Sequence, residues 1–254
     1  MIQNATGERY VTAANLSEGW LGAVQLLYGA PGEKVVHLVV RIADPLSEVD
    51  GIRKHAQALI EDWNASHSPE MPDVETTRNT IVPARWAART DGPEKLADYY
   101  RERYTKSGLL SFKGNESGTY FGRIVAYPRG ESAPGDQLNE TLRKLRLEAA
   151  KKGTKSSRYE INIFNEALDR KAMSFPCLAH VSVHLHDGAL HLQAIYRNES
   201  LIARGYGNYL GLAQLQAYIA GNASVAVGEL MITAGHAELD GRRGAVGKML
   251  TEID

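Results

Sequence analysis

The chain has almost no cysteine. Its 254 residues include one, Cys177. No intrachain disulfide can form, which fits a reducing compartment. Long apolar runs are also missing: none reaches about 18 residues, the length that an ordinary membrane-spanning helix needs. Met1 to Tyr10 is polar and lacks the apolar core of a secretory signal, so a cytosolic protein is expected. Neither charge sign dominates. The formal net charge is −1, leaving no basic surplus for nucleic acid, although two or three local arginines would still hold one small anion. No glycine-rich loop has the Walker form, and no G-x-G-x-x-G follows a strand. No internal repeat and no linker divides the chain, so residues 1–254 are expected to form a single domain. What is present suits that domain: 43% hydrophobic residues supply a core, and 23% charged residues an ordinary surface.

Periodicity gives a mixed order of elements. Leu21, Val24, Leu27 and Tyr28 share one helical face after Ser17, the candidate cap, and Gly29-Ala30-Pro31-Gly32 ends that helix. Val35 to Ala43 reads as a strand, and Ala56, Leu59, Ile60 and Trp63 as a helix face. Residues 64–92, with Pro69, Pro72 and Pro83, read mostly as loop. Pro93 to Tyr104 reads as a helix and Tyr120 to Tyr127 as a short strand. Asp136 caps a helix carrying Leu138, Leu142 and Leu145. Tyr159 to Phe164 alternates like a strand. Leu178 to His186 and Ala189 to Arg197 do the same around Asp187-Gly188, a strong hairpin signal. A helix over Asn208 to Ala220 and a strand over Val225 to Thr233 follow. This mixture predicts an α+β fold.

A lone cysteine is most often a small buried hydrophobe. To act as a nucleophile Cys177 needs a lowered pKa, which a neighbouring cation supplies. Arg197 ends the partner strand of the hairpin, and crossing the turn brings that end back beside Cys177.

The run from Cys177 to Asp240 resembles the thymidylate synthases and the related pyrimidine nucleotide hydroxymethylases. Phe175-Pro176-Cys177 stands where that family has Pro-Pro-Cys-His, and Asp187-Gly188 falls at its hairpin turn. Tyr196-Arg197-Asn198-Glu199-Ser200 stands where it has Gln-Arg-Ser-x-Asp. Asn208-Tyr209-Leu210 opens a helix, and Val227-Gly228-Glu229-Leu230 with Gly235 resembles its Val-Gly-Asp/Glu-Leu and Gly-Asp-x-His segments. Upstream, Asp136-Gln137, Ser157-Arg158 and Tyr120-Phe121-Gly122 resemble shorter family segments. The first hundred residues match poorly.

The resemblance implies a thymidylate synthase-like fold, a large, mostly antiparallel or mixed sheet flanked by helices. It implies a homodimer, a pyrimidine nucleotide substrate, and 5,10-methylenetetrahydrofolate as one-carbon donor. Cys177 would add to C6 of a uracil or cytosine ring, making C5 nucleophilic for methyl or hydroxymethyl transfer. Arg197 would hold the nucleotide phosphate and favour the thiolate, and Arg158 would be a second phosphate ligand reaching across the dimer. Asn208 would read the base edge, its competing role being a plain helix cap. Gln193, on the hairpin, would add a polar contact.

The departures are several. Leu178 replaces the family's histidine after the cysteine, Tyr159 its second arginine, and Ser200 the aspartate that contacts the pterin. Glu238 and Asp240 stand where a histidine and a tyrosine bind the sugar hydroxyl; their carboxylates would accept from a ribose diol or face solvent. Lys34 is a candidate stand-in for an N-terminal phosphate loop. After Gly235 a short, charged tail is expected instead of the family's closing segment, so the folate-site residues are not retained. His180, His184, His186 and His191 read as a polar strand face rather than a metal site. Two functions follow: a C5-modifying transferase working through a Cys177 adduct, and a nucleotide-binding pseudoenzyme acting as sensor or partner subunit.

Overall fold

The computed structural model describes residues 9–106, 118–127, 135–151, 159–170 and 176–253. Among them a six-stranded sheet runs in the order β1-β2-β6-β5-β4-β3. The strands are β1 (Tyr10–Asn15), β2 (Lys34–Asp44), β3 (Tyr159–Asn162), β4 (Leu178–His186), β5 (Ala189–Ser200) and β6 (Ala226–Glu238). The sheet is mixed. β1 with β2 and β5 with β6 are parallel, and the other pairings are antiparallel. Helices α1 (Leu16–Gly29) and α9 (Tyr206–Ala223) pack on one face, where Trp20, Leu27, Leu38, Val40, Leu212 and Ile232 are buried. This is the expected α+β class with helices flanking a mixed sheet. No helix among the described residues is long and apolar enough to cross a membrane.

Several sequence expectations need correction. α1 is capped by Asn15, which accepts from the Glu18 amide at 3.0 Å. Ser17 is buried inside the helix instead, its hydroxyl between Tyr206 Oη (2.8 Å) and the Val49 amide (2.8 Å). Tyr120 to Val125 is not a strand but helix α6 (Tyr120–Val125). The Thr119 hydroxyl accepts from the Gly122 amide, and Phe121, Ile124 and Val125 turn into the core. Residues 64–92 contain two short helices, α3 (Val74–Asn79) and α4 (Ala84–Ala87). The charged tail is helix α10 (Arg243–Ile253). It buries Val246 and Met249, while Arg243 pairs with Glu33 and lies over the Tyr28 ring. Charge content hid a two-residue apolar stripe. Helices α2 (Asp50–Asn64), α5 (Pro93–Lys106) and α7 (Gln137–Ala149) and the β4–β5 hairpin lie where the sequence places them.

One irregularity matters for the site. A strand's side chains alternate between faces, so buried positions should recur every two residues. In β5, Leu192, Ala194 and Tyr196 obey this, and then Glu199 is buried, three residues on. β6 does the same with Ala234 and Ala237. β2 does so with Leu38 and Val35, which packs against the core. The slips are in register: Ala234 pairs with Leu38 and Tyr196, and Ala237 with Val35 and Glu199. Between the two rungs His37 takes the left-handed φ of 59°, and at Gly235 a Cβ would come within 3.2 Å of the Arg197 carbonyl oxygen. All three strands therefore kink together, as bulged strands do.

Candidate functional site

Cys177 stands half-buried at the entry to β4, and the hairpin brings Arg197 to it. The Arg197 amide donates to the Cys177 carbonyl at 2.8 Å, and Arg197 Nε to the Pro176 carbonyl at 3.3 Å. The cation expected from the hairpin geometry is thus in place. The lowered thiol pKa is not. Burial pushes the Cys177 thiol up, Arg197 and Arg204 oppose this, and Glu199 and Glu238 add to the rise. At neutral pH the cysteine is therefore a thiol. Two guanidinium groups stand ready to favour its thiolate once the balance of charge around it changes.

Tyr120, from the N-terminus of α6, approaches from the other side, its hydroxyl accepting weakly from the Leu178 amide at 3.4 Å. Burial holds its proton far above the ordinary phenol range, with the charge of Cys177 adding to the effect. α6 is anchored by Arg123, which makes a buried two-point pair with Asp169 (2.6 and 2.8 Å) and donates to the Ile163 carbonyl.

Asn208 lies in the first turn of α9, after a π-helical turn over Leu201–Gly205, a feature that recurs at functional sites. It does not cap the helix. It is 4% exposed, and its Nδ2 donates to Glu199 Oε1 at 2.9 Å. Glu199 is 1% exposed, and its Oε2 has no hydrogen-bond partner among the described residues. Burial raises its pKa to about 8, the Asn208 bond opposes this and Asp240 adds to it. The buried hydroxyls of Tyr196 and Tyr209 are likewise without a partner, and both titrate well above the ordinary value, through burial first and the charge of Glu199 next.

The carboxylates assigned to the sugar are engaged elsewhere. Asp240 accepts from the Ile202 amide at 2.9 Å and from the Ala203 amide, so it pins the π-helical turn. Its pKa is raised by burial, against those backbone bonds. Glu238 faces Lys34 Nζ at 3.5 Å and accepts from Ser200 Oγ at 3.4 Å and Asn198 Nδ2 at 3.5 Å. Lys34 is therefore the partner of Glu238, not a loop poised for phosphate. The Ser200 hydroxyl supplies no carboxylate for a pterin, so these residues do not fit the folate as the resemblance places it. Gln193 pairs with Ser182 and Met231, four residues along the strand from Arg197. At about 3.3 Å per residue that is some 13 Å from Cys177's neighbour, so Gln193 is not brought to the cysteine. Arg158 lies outside the described residues. On the opposite strand face His180 bonds Glu160 at 2.5 Å, and Ser182 Oγ donates to the same carboxylate at 2.7 and 2.8 Å.

Sequence reasoning missed Glu199 and Arg204. Glu199 fills the unspecified position of the arginine motif, and regular alternation puts it on the face opposite Tyr196. The signal for Arg204 was a lone cation four residues before Asn208 in the chain.

The fold and site define an α+β protein with a half-buried cysteine beside an arginine, and with a buried Glu–Asn pair at the foot of a helix. No family model matches the chain. A curated protein of Methanothermobacter thermautotrophicus, named "Putative thymidylate synthase", is 27% identical over 141 residues, which cover 55% of this chain and 56% of that protein. The chain thus matches just over half the length of this relative, and the likeness is that of a distant, thymidylate synthase-like protein.

Proposed function

We propose that this chain is a C5-modifying transferase for a uridylate- or cytidylate-type nucleotide, working through a covalent bond from Cys177 to C6 of the base. The placement of Cys177 against Arg197 carries this reading, and the thymidylate synthase-like relative supports it. A thiolate is a soft nucleophile. Its addition to C6 turns C5, an unreactive ring carbon, into an enolate-like centre. Arg197 and Arg204 are the cations for the nucleotide phosphate, with Arg158 a further candidate, and Asn208 is the amide for the base edge. Ser200, Glu238 and Asp240 are held by bonds within the chain, and Gln193 lies too far along β5 to act with Cys177. 5,10-Methylenetetrahydrofolate is the donor the resemblance implies for methyl or hydroxymethyl transfer. Ser200 does not suit it, and exchange of the C5 hydrogen needs only nucleotide and water. A homodimer is part of the reading: the sheet face away from α1 and α9 carries the exposed Ile195 and the Arg41–Glu229 pair.

The raised thiol pKa favours a second reading, a pseudoenzyme that binds nucleotide as a sensor or partner subunit without turnover. Tritium release from 5-tritiated UMP, dUMP, CMP and dCMP separates the two, measured with and without 5,10-methylenetetrahydrofolate. Release that vanishes in Cys177→Ala supports the enzyme and names its base and sugar. Nucleotide binding with no release from any of the four favours the pseudoenzyme.

A further inference from the structure

We infer that Glu199 is the general base of this site: its free Oε2 removes the proton from C5 of the ring that Cys177 has attacked. The inference rests on the nucleotide reading above and adds to it the residue that completes the chemistry.

A carboxylate in a core is costly. Leaving one of its oxygens unpartnered costs on the order of 1–3 kcal/mol, and more when it carries charge. Glu199 is nevertheless buried with one oxygen committed to Asn208 and the other to nothing described. The register slip shared by β2, β6 and β5 turns it off the open face and onto the side where Asn208 and Tyr209 of α9 lie. Three hydrogen-bonded strands share the kink that places it there.

The groups around it narrow the choice of base. Glu199 bonds Asn208 of α9 and interacts through its charge with Cys177 at the entry to β4, Tyr120 of α6, Tyr196 of its own strand, Tyr209 of α9 and Asp240 beyond β6. The three tyrosines hold their protons far above neutrality and are not ionised there. Asp240 spends its oxygens on the Ile202 and Ala203 amides. Cys177 is the nucleophile. Glu199 alone among these has a free acceptor oxygen and a titration close to working pH, about 8, where a general base is most effective.

The step balances without any further reagent. The Cys177 thiolate forms the S–C6 bond, and the C5–C6 π pair takes a proton from water at C5, leaving hydroxide. The Glu199 carboxylate then removes the original C5 hydrogen from the other side. The C5–H pair re-forms the double bond, the S–C6 bond breaks, and the thiolate is regenerated. Glu199 returns its proton to the hydroxide. The net change is exchange of the C5 hydrogen with solvent.

Glu199→Gln keeps the size of the side chain and an acceptor for Asn208 but cannot take a proton. Wild-type tritium release is expected to rise as pH passes through about 8. In Glu199→Gln it is expected to fall by about 10²-fold or more and to lose that rise, while nucleotide still shields Cys177 from iodoacetamide. Release that is lost in Cys177→Ala but unchanged in Glu199→Gln overturns the inference and leaves the cysteine reading intact. No release from the wild type overturns both. Should Glu199→Gln fail to fold, Glu199→Asp, which draws the carboxylate back by one methylene, is the second variant: release unchanged in it overturns the inference.

Discussion

Tyr196 and Glu199 are buried on the same side of one strand although three residues, not two, separate them. The kink between them carries Arg197, the residue that holds the Cys177 segment. Arg197 and the buried carboxyl are therefore placed by one local departure from regular strand geometry. The neighbouring strands repeat it at His37 and Gly235.

Glu199 and Cys177 compete for negative charge. Each group's ionised form opposes the other's, and Glu199 pushes the thiol upward. Glu199→Gln is expected to lower the apparent thiol pKa. The effect appears above about pH 8, where wild-type Glu199 carries its charge. Iodoacetamide alkylation of Cys177 followed against pH checks this. Superimposable profiles for the two proteins would show that the groups do not interact.

The same carboxyl makes stability depend on pH. An unfolded glutamate titrates near about 4.3, whereas folded Glu199 does so at about 8. Between those values the unfolded chain releases the proton that the folded chain keeps. Stability contributed by protonated Glu199 is whole below about pH 4.3 and is lost as pH rises toward about 8. Glu199→Gln removes this loss. Its stability relative to the wild type should grow through that window, by on the order of a few kcal/mol at its upper end. Urea unfolding at several pH values measures it.

α9 lies hard against α3, and Gly207 allows it. A Cβ at Gly207 would come within 2.6 Å of Thr77 Cβ and 2.7 Å of the Val74 carbonyl oxygen. Gly207→Ala should cost about 1–3 kcal/mol and shift the turn that holds Asn208. Gly221, in the same helix, has nothing within 4 Å of its Cβ position. Gly221→Ala should stabilise by about 0.5–1 kcal/mol. Thermal melts of both variants test the contrast.

The Arg123–Asp169 pair is buried on both sides, 3% and 2% exposed. Asp169→Ala leaves a buried guanidinium without its carboxylate, a loss of about 3–5 kcal/mol. Because Arg123 belongs to α6, the variant should also loosen Tyr120 beside Cys177. Its thermal melt, and faster alkylation of Cys177 at fixed pH, are the readouts.

The hairpin was legible because Asp187-Gly188 between two alternating runs is a local signal, and Cys177 and Arg197 follow from its register. α1, α2, α5, α7 and α9 were legible from apolar spacing. α6 was not. Six residues rich in valine, isoleucine and aromatics carry no helical period, and one capping threonine decides the matter. α10 was hidden by its charges, and β1 by its lack of apolar alternation, since Ala13 is its single buried residue. The inner half of the site was hidden for a different reason. Burial of Glu199 depends on a slip shared by three strands far apart in the chain, and no single window of sequence contains it. The same is true of Asp240 and Glu238, whose partners are an amide pair in one loop and Lys34 at the start of another strand.

The proposed bond from Cys177 to C6 is tested most sharply by a secondary isotope effect at that carbon. Addition changes C6 from trigonal to tetrahedral, so deuterium at C6 should make cysteine-dependent tritium release from C5 faster than protium does. This inverse effect is expected in the wild type, with no release in Cys177→Ala. Release indifferent to deuterium at C6, or surviving in Cys177→Ala, would contradict it.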